Sequence, residues 1–231
     1  MRIPGGGLPS PVRGSAGTAP QNLYVAIQSG QQVIYFSGKD PGSGQAAMLK
    51  LATSGAAAPT VVAKGSPLVA PDGVVVTPAG IVYVSDRSAS GGSIGKVFKI
   101  DGSTVSVLID RVRTGNPAGL ALTQVISTGE LILLVSALQL VGSSDQVLLV
   151  DLSSGQTGSF TKVIAENHSA GGLHAFPSLQ QQGSIEGPQS ASLSASLAES
   201  LLLAPLQEKP EKFAWADTKA GGNGKVYLIT M

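Results

Sequence analysis

The fold is decided by the stretch PDGVVVTPAGIVYVSD, residues 71–86, and by its continuation KVFKIDGSTVSVLI, residues 96–109. Runs of apolar and largely β-branched residues alternate here with Gly, Pro, Ser and Asp, the residues that form tight turns. Short runs of this kind between turn residues are typical of antiparallel strands joined by hairpins. The stretch therefore predicts one four-stranded β-sheet, with strands at 74–76, 81–84, 96–101 and 104–109.

The same order of strands recurs before and after this stretch. The preceding copy has strands at 23–27, 33–36, 47–51 and 60–63, the next copy at 120–122, 131–135, 145–151 and 160–165, and the last copy at 171–174, 213–217 and 224–229. Along the third strands, 49 residues separate Met48 from Val97, 50 separate Val97 from Val147, and 79 separate Val147 from Val226. Four-stranded units of about 40–50 residues are the length class of propeller blades. We therefore predict an all-β fold, a β-propeller-like array of about four four-stranded blades. A closed or nearly closed array is favoured, and an incomplete array or a part of a six-bladed type are the alternatives.

The repeat also predicts the domain organisation. A flexible segment over residues 1–20 precedes a single propeller domain over 21–231. The blades are expected at about 22–64, 65–110, 111–165 and 166–231, with an insertion at 177–211 that accounts for the longer last interval. Leucines at helical spacing occur within the insertion at 192–203, and a short helix and an unstructured loop both remain open there.

The composition excludes several classes of protein. Hydrophobic residues make up 42% and charged residues 13% of the chain, which is unlike a disordered polar chain. The 15 basic and 14 acidic residues form no basic cluster, so we expect neither nucleic acid nor a membrane as a partner. Without cysteine there is no thiolate metal site or cysteine nucleophile. The low charge favours an extracytoplasmic or secreted protein, although residues 1–17 lack the apolar core of a signal peptide.

Residues 71–101 resemble a blade of a known group of propellers. The order P-D-G, hydrophobic run, turn and Y-V-S-D is similar to the repeat of the six-bladed NHL, SMP-30/gluconolactonase and strictosidine-synthase-like propellers. The copies at 116–151 and 213–229 resemble that repeat more weakly. The resemblance covers roughly two thirds of the chain and implies the fold more than the function, since such propellers include hydrolases, lyases and binding platforms.

The resemblance also implies candidate metal ligands. In the SMP-30-like enzymes, carboxylate and Asn side chains hold a metal, and one Asn lies in a P-N-G turn that opens a blade. Oxygen ligands of this kind suit a divalent cation such as Ca²⁺. The matching turns of this chain contain Asp72, Ala118 and Gly171, and only Asp72 has a ligating side chain. Asn116 lies two residues before Ala118, so the candidate metal ligands are Asp72 and Asn116.

Three further residues are candidates for catalysis. Asp86 and Asp217 end corresponding second strands. Each is either an acid–base group or ligand at the axis, or an acceptor of backbone N–H bonds in the following turn. His174, on the first strand of the last blade, is either a general base near the channel or an ordinary hydrogen-bonded histidine. Because a repeated position indicates a repeated structural need, the structural interpretation is favoured.

The sequence therefore favours a non-catalytic, propeller-type binding or interaction module, whose partner is a protein or a small-molecule ligand. The alternative is a hydrolase or lyase of the SMP-30 or strictosidine-synthase kind, which acts on a small molecule at the propeller axis. If the array is open, its uncovered blade faces also predict self-association.

Overall fold

A computed structural model of the chain describes residues 14–53, 58–115, 118–124, 128–138, 140 and 145–153, together with strands at 157–161, 173–176, 212–217 and 225–230. All regular secondary structure in these residues is β-strand, and the paired strands are antiparallel. No helix in the described residues is long and apolar enough to cross a membrane. The prediction of an all-β fold is confirmed.

The described strands group into four consecutive blades. Their bounds are β1 (Leu23–Gln28), β2 (Gln31–Lys39), β3 (Ala46–Ala52) and β4 (Thr60–Lys64) in blade 1; β5 (Pro71–Val76), β6 (Val82–Asp86), β7 (Gly95–Asp101) and β8 (Thr104–Thr114) in blade 2; β9 (Leu120–Gln124), β10 (Leu131–Leu138), β11 (Asp145–Asp151) and β12 (Thr157–Thr161) in blade 3; and β13 (Leu173–Phe176), β14 (Lys212–Asp217) and β15 (Lys225–Thr230) in blade 4. Within each blade every strand pairs with the strand before it, as in a meander.

Blades 2 and 3 form one continuous sheet through an extended β8. The strand predicted at 104–109 continues to Thr114, and its last residues, Arg113 and Thr114, pair with Leu138 and Ala137 of β10. Arg111 has a φ of 61° and lies where the pairing of β8 with β7 shifts register. A bulge of this kind bends a strand, so one strand serves two blades.

The first strands of successive blades lie beside one another without pairing. β1 contacts β5, β5 contacts β9, and β9 contacts β13. Propellers have this arrangement, because the blades are placed around a central channel. Among the described strands, no contact of similar extent joins β13 to β1. The structure is therefore a β-propeller-like array with three four-stranded blades and three described strands of a fourth.

Strand β5 shows how blade 2 is held between its neighbours. Val74 and Val76 belong to a cluster with Met48 of blade 1, whereas Val75 belongs to a second cluster with Leu133 of blade 3. Successive side chains of a strand point to opposite faces of its sheet, so both faces of blade 2 are covered by another blade. This explains why β5 ends in an unbroken apolar run at 74–76, since a strand buried on both faces needs no polar alternation.

The segment before β1 packs against the end of β2. The amide of Gln21 donates to the Ser37 carbonyl at 2.9 Å, and the amide of Lys39 donates to the Thr18 carbonyl at 2.6 Å. Gly38 is required for this close approach, because a Cβ there would overlap the Thr18 carbonyl oxygen. Part of the segment predicted to be flexible thus forms hydrogen bonds with blade 1. Residues 1–13 and the predicted insertion at 177–211 lie outside the described residues.

Candidate functional site

Asp72 connects three blades. It lies in β5 and is only 5% exposed. Its Oδ2 accepts a hydrogen bond from the amide of Ala118 at 2.9 Å, at the entry of blade 3. Its backbone carbonyl accepts one from Ser37 Oγ of blade 1 at 2.6 Å. Asn22 Nδ2 reaches the Ala118 carbonyl at 3.5 Å, so the entries of blades 1, 2 and 3 meet around Asp72.

Two opposing effects act on the pKa of the Asp72 carboxyl group. Burial raises the pKa of its carboxyl group above the ordinary value, because removal from water disfavours the charged form. The hydrogen bond from Ala118 and the positive charge of Arg87 lower the pKa but do not cancel the effect of burial. Oδ1 has no hydrogen-bond partner among the described residues.

Asp86 is fully buried and holds two segments of backbone. Its carboxylate accepts hydrogen bonds from the amides of Val69 at 2.6 Å and Ala70 at 3.0 Å, both from the segment that leads into β5. It also accepts one from the amide of Ser88 at 3.1 Å, in the turn that follows β6. With three backbone donors and no exposed surface, Asp86 has the contacts of a structural carboxylate.

A cleft of about 400 Å³ lies between blades 1 and 2, at the end where β2 and β6 terminate. Blade 1 contributes Gln21, Gly38 and Lys39, and blade 2 contributes residues 69–72 and Arg87. The volume is within the range of small-molecule sites, which is about 300–1,000 Å³. Because Asp86 fixes the amides of residues 69 and 70, the blade 2 wall of the cleft is rigidly placed.

Lys39 and Arg87 occupy the same position of the repeat on the two sides of this cleft. Each follows a buried serine by two residues, Ser37 in blade 1 and Ser85 in blade 2. Each donates its amide to the segment that opens its own blade, Lys39 to Thr18 at 2.6 Å and Arg87 to Ala70 at 3.4 Å. Neither charged side chain has a hydrogen-bond or ion-pair partner in the described part of the chain.

The structure brings together only some of the residues that the sequence singles out. Asp72 and Asp86 lie in the same blade, but their carboxylates bind different backbone groups. His174 lies in β13 and Asp217 ends β14, and their side chains lie outside the described part of the structure. Asn116 also lies outside the described residues. Convergence of all five on one site is therefore not observed in what the structure describes.

The metal site implied by the resemblance does not assemble from the described residues. No group of three or more His, Cys, Asp or Glu side chains is placed to hold a metal ion in the ranges that the structure describes. Asp72 is the one carboxylate among the described lining of the cleft, and the Ala118 amide already occupies its Oδ2. Ca²⁺ prefers six to eight oxygen ligands, and Asn116, the second predicted ligand, lies outside the described residues, so the metal site stays a prediction.

Lys39 and Arg87 are the lining residues that the sequence interpretation misses. They are 48 residues apart, which is close to the repeat of 49 and 50 residues, and each lies two positions after a serine that directly follows an apolar run. A search for charged residues at equal positions of the repeat would have found them. The sequence interpretation instead followed the carboxylates and histidines that carry chemistry in the similar enzymes.

Comparison with protein-family models finds no match to this chain, and a search of the curated proteins finds none either. The resemblance to the NHL and SMP-30-like propellers therefore stays a prediction from residues 71–101. The function has to be argued from the cleft and from the contacts of the residues around it.

Proposed function

We propose that this protein is a non-catalytic, propeller-type binding module and that a small molecule binds in the cleft between blades 1 and 2. The observation that carries the proposal is the pairing of a cleft of about 400 Å³ with two exposed cationic side chains, Lys39 and Arg87, neither of which has an ion pair within 4 Å among the described residues. Both come from rigid positions beside strand ends, and sites on such scaffolds keep their geometry when a ligand binds.

The contacts of the carboxylates favour binding over catalysis. Both carboxylate oxygens of Asp86 accept hydrogen bonds from backbone N–H groups, and the side chain is inaccessible to solvent. Asp72 holds blade 3 through the Ala118 amide. Acid–base catalysis requires a group within hydrogen-bond reach of the reacting proton, and Asp72 is the one carboxylate among the described lining residues. One carboxylate beside two cations is a better match to recognition than to a pair of acid and base.

The hydrolase or lyase alternative has one observation in its favour. Asp72 lines the cleft, and burial raises the pKa of its carboxyl group, as is common for carboxylates at functional sites. The two functions differ in what happens to the bound molecule, since an enzyme of this kind consumes it and a binding module returns it unchanged.

The test is a screen of small fragments by ligand-observed NMR against wild type, Val69→Trp and Val107→Trp. Val69 lines the cleft and is 58% exposed, so a tryptophan there fills the mouth without entering the core. Val107 is 49% exposed on β8 and is not among the lining residues, which makes it a matched control. We expect fragments that bind wild type and Val107→Trp but not Val69→Trp, and whose spectra stay unchanged after prolonged incubation.

Two results would contradict the proposal. If no fragment is sensitive to Val69→Trp, the cleft is not a binding site. If wild type consumes a cleft-bound ester or lactone and Asp72→Asn does not, the enzyme alternative replaces the binding module.

A further inference from the structure

The lysines of blades 1 and 2 differ in whether their charge is already paired. Lys64 binds Asp40 at 2.7 Å, Lys96 binds Asp110 at 2.9 Å, and Lys99 approaches Asp101 at 3.4 Å. Asp40 directly follows Lys39 in the chain, yet its carboxylate binds Lys64 and the Ser43 hydroxyl instead. Lys39 therefore has no ion pair among the described residues, although it lines the cleft. Arg87 is the second cation of the cleft lining without an ion pair among these residues.

The charge of the lining determines which ligand it can neutralise. Lys39 and Arg87 contribute two positive charges and Asp72 one negative charge, so the ionised lining has a net charge of +1. A monoanion balances this charge. A dianion such as a phosphate monoester would leave an excess negative charge that the Asp72 carboxylate repels.

The chemistry of the two cations favours a carboxylate as the anion. The guanidinium of Arg87 presents parallel N–H donors that match the two oxygens of a carboxylate, and the ammonium of Lys39 adds a mobile point charge. Charge-assisted hydrogen bonds of this kind are stronger than those between neutral groups. The remaining wall includes Ala46, Val69 and Pro71, which can contact an apolar body, and Gln21, which adds a polar group.

We propose that the cleft binds a small organic monocarboxylate, with its carboxylate between Lys39 and Arg87 and its apolar body along residues 69–71. This proposal rests on the proposed function, because it names the class of ligand for the same cleft. It also assigns Asp72 a definite effect, since this residue lines the same cleft, its charge interacts with that of Arg87, and a negative charge there repels a bound anion.

The experiment is an NMR titration of isotope-labelled protein with benzoate, benzamide and phenyl phosphate. We expect benzoate to shift the backbone signals of residues 38–39 and 69–72, and to bind at least about tenfold more tightly than the neutral amide. Lys39→Met and Arg87→Met should each weaken benzoate binding by about tenfold or more and leave benzamide unchanged. Lys99→Met is the control, because Lys99 is not among the lining residues and is paired with Asp101.

The variant Asp72→Asn separates charge from shape. It keeps an oxygen acceptor for the Ala118 amide, removes the negative charge, and should tighten benzoate binding severalfold with no effect on benzamide. Equal binding of benzoate and benzamide in the cleft would overturn the carboxylate assignment and leave the binding module standing. Tighter binding of phenyl phosphate than of benzoate would overturn the preference for a monoanion. Failure of every fragment at the cleft would instead remove the proposed function itself.

Discussion

Replacing Asp72 with alanine removes the acceptor of the Ala118 amide, whereas replacing it with asparagine keeps an oxygen at the same place and removes the charge. The two variants separate the structural use of this side chain from its charge. In the structure the Ala118 amide donates to Oδ2 at 2.9 Å, and Ala118 itself is 1% exposed. Water therefore has little access to the amide that the alanine variant leaves unpaired.

The expected loss follows from that unpaired amide. A buried donor without a partner costs about 1–3 kcal/mol, and about 1 kcal/mol lowers the Tm of a domain of this size by about 2–4 °C. Asp72→Ala should thus lower the Tm by about 4–8 °C for a loss of about 2 kcal/mol. Asp72→Asn should match or exceed the Tm of wild type at pH 7, because burial disfavours the carboxylate that it replaces.

The Tm of both variants is measured by thermal unfolding monitored with circular dichroism. Asp110→Asn, which removes an exposed ion pair, is the control. Asp72 has a raised pKa in the folded state, so its charge costs stability above its ordinary pKa and that cost disappears as the carboxyl group becomes protonated at acidic pH. The advantage of Asp72→Asn should therefore vanish on acidification. If Asp72→Asn is destabilised as much as Asp72→Ala at pH 7, the charge is essential and the role of a backbone acceptor is refuted.

Three further perturbations test the contacts around the cleft. Asp86→Ala leaves three backbone amides without an acceptor and should cost about 3 kcal/mol or more in urea unfolding; a loss below about 1 kcal/mol would contradict its structural role. Gly73→Ala places a Cβ 2.6 Å from the Ala118 carbonyl oxygen and should cost about 1–3 kcal/mol, whereas Gly42→Ala, with its nearest neighbour at 3.9 Å, should be neutral. Asp40 has a pKa lowered to about 2 by its hydrogen bonds from Lys64 and Ser43, so it stabilises the fold above its ordinary pKa of 3.8. That contribution is lost as the pH falls from about 4 to 2, and Asp40→Asn should abolish this part of the acid unfolding curve.

The blade pattern was predictable because each blade repeats local turn chemistry. The strands follow from residues that are close in sequence, because turn residues such as Pro71 and Gly102 and the β-branched runs between them act over only a few positions. The continuation of β8 to Thr114 was not predictable in this way. It depends on pairing with Ala137, which lies 23 residues further along the chain, and no local pattern encodes a partner in the next blade.

The site was predicted only in part for the same reason. The sequence identified Asp72 by its resemblance to a metal-binding turn, but its partner is the amide of Ala118, 46 residues away. An amide leaves no mark in the sequence, because every residue except proline carries one. The sequence therefore shows that a carboxylate is present at Asp72, but it does not show which group that carboxylate contacts. Lys39 and Arg87 were missed because a cation beside a strand end is ordinary until the fold places two of them at one cleft.

The repeat itself provides the strongest reason to assign those cations to a ligand. Ser37 and Ser136 occupy one position of the repeat, since each donates its amide to the carbonyl that precedes its own first strand, at 3.0 and 2.9 Å. Two residues further on, blade 1 has Lys39 and blade 3 has Leu138. The backbone of a blade therefore does not require a positive charge at that position, because a leucine serves there in blade 3. Because the fold does not need this charge and the exposed Lys39 lines a cleft of about 400 Å³, the comparison of the blades is consistent with the ligand that we propose.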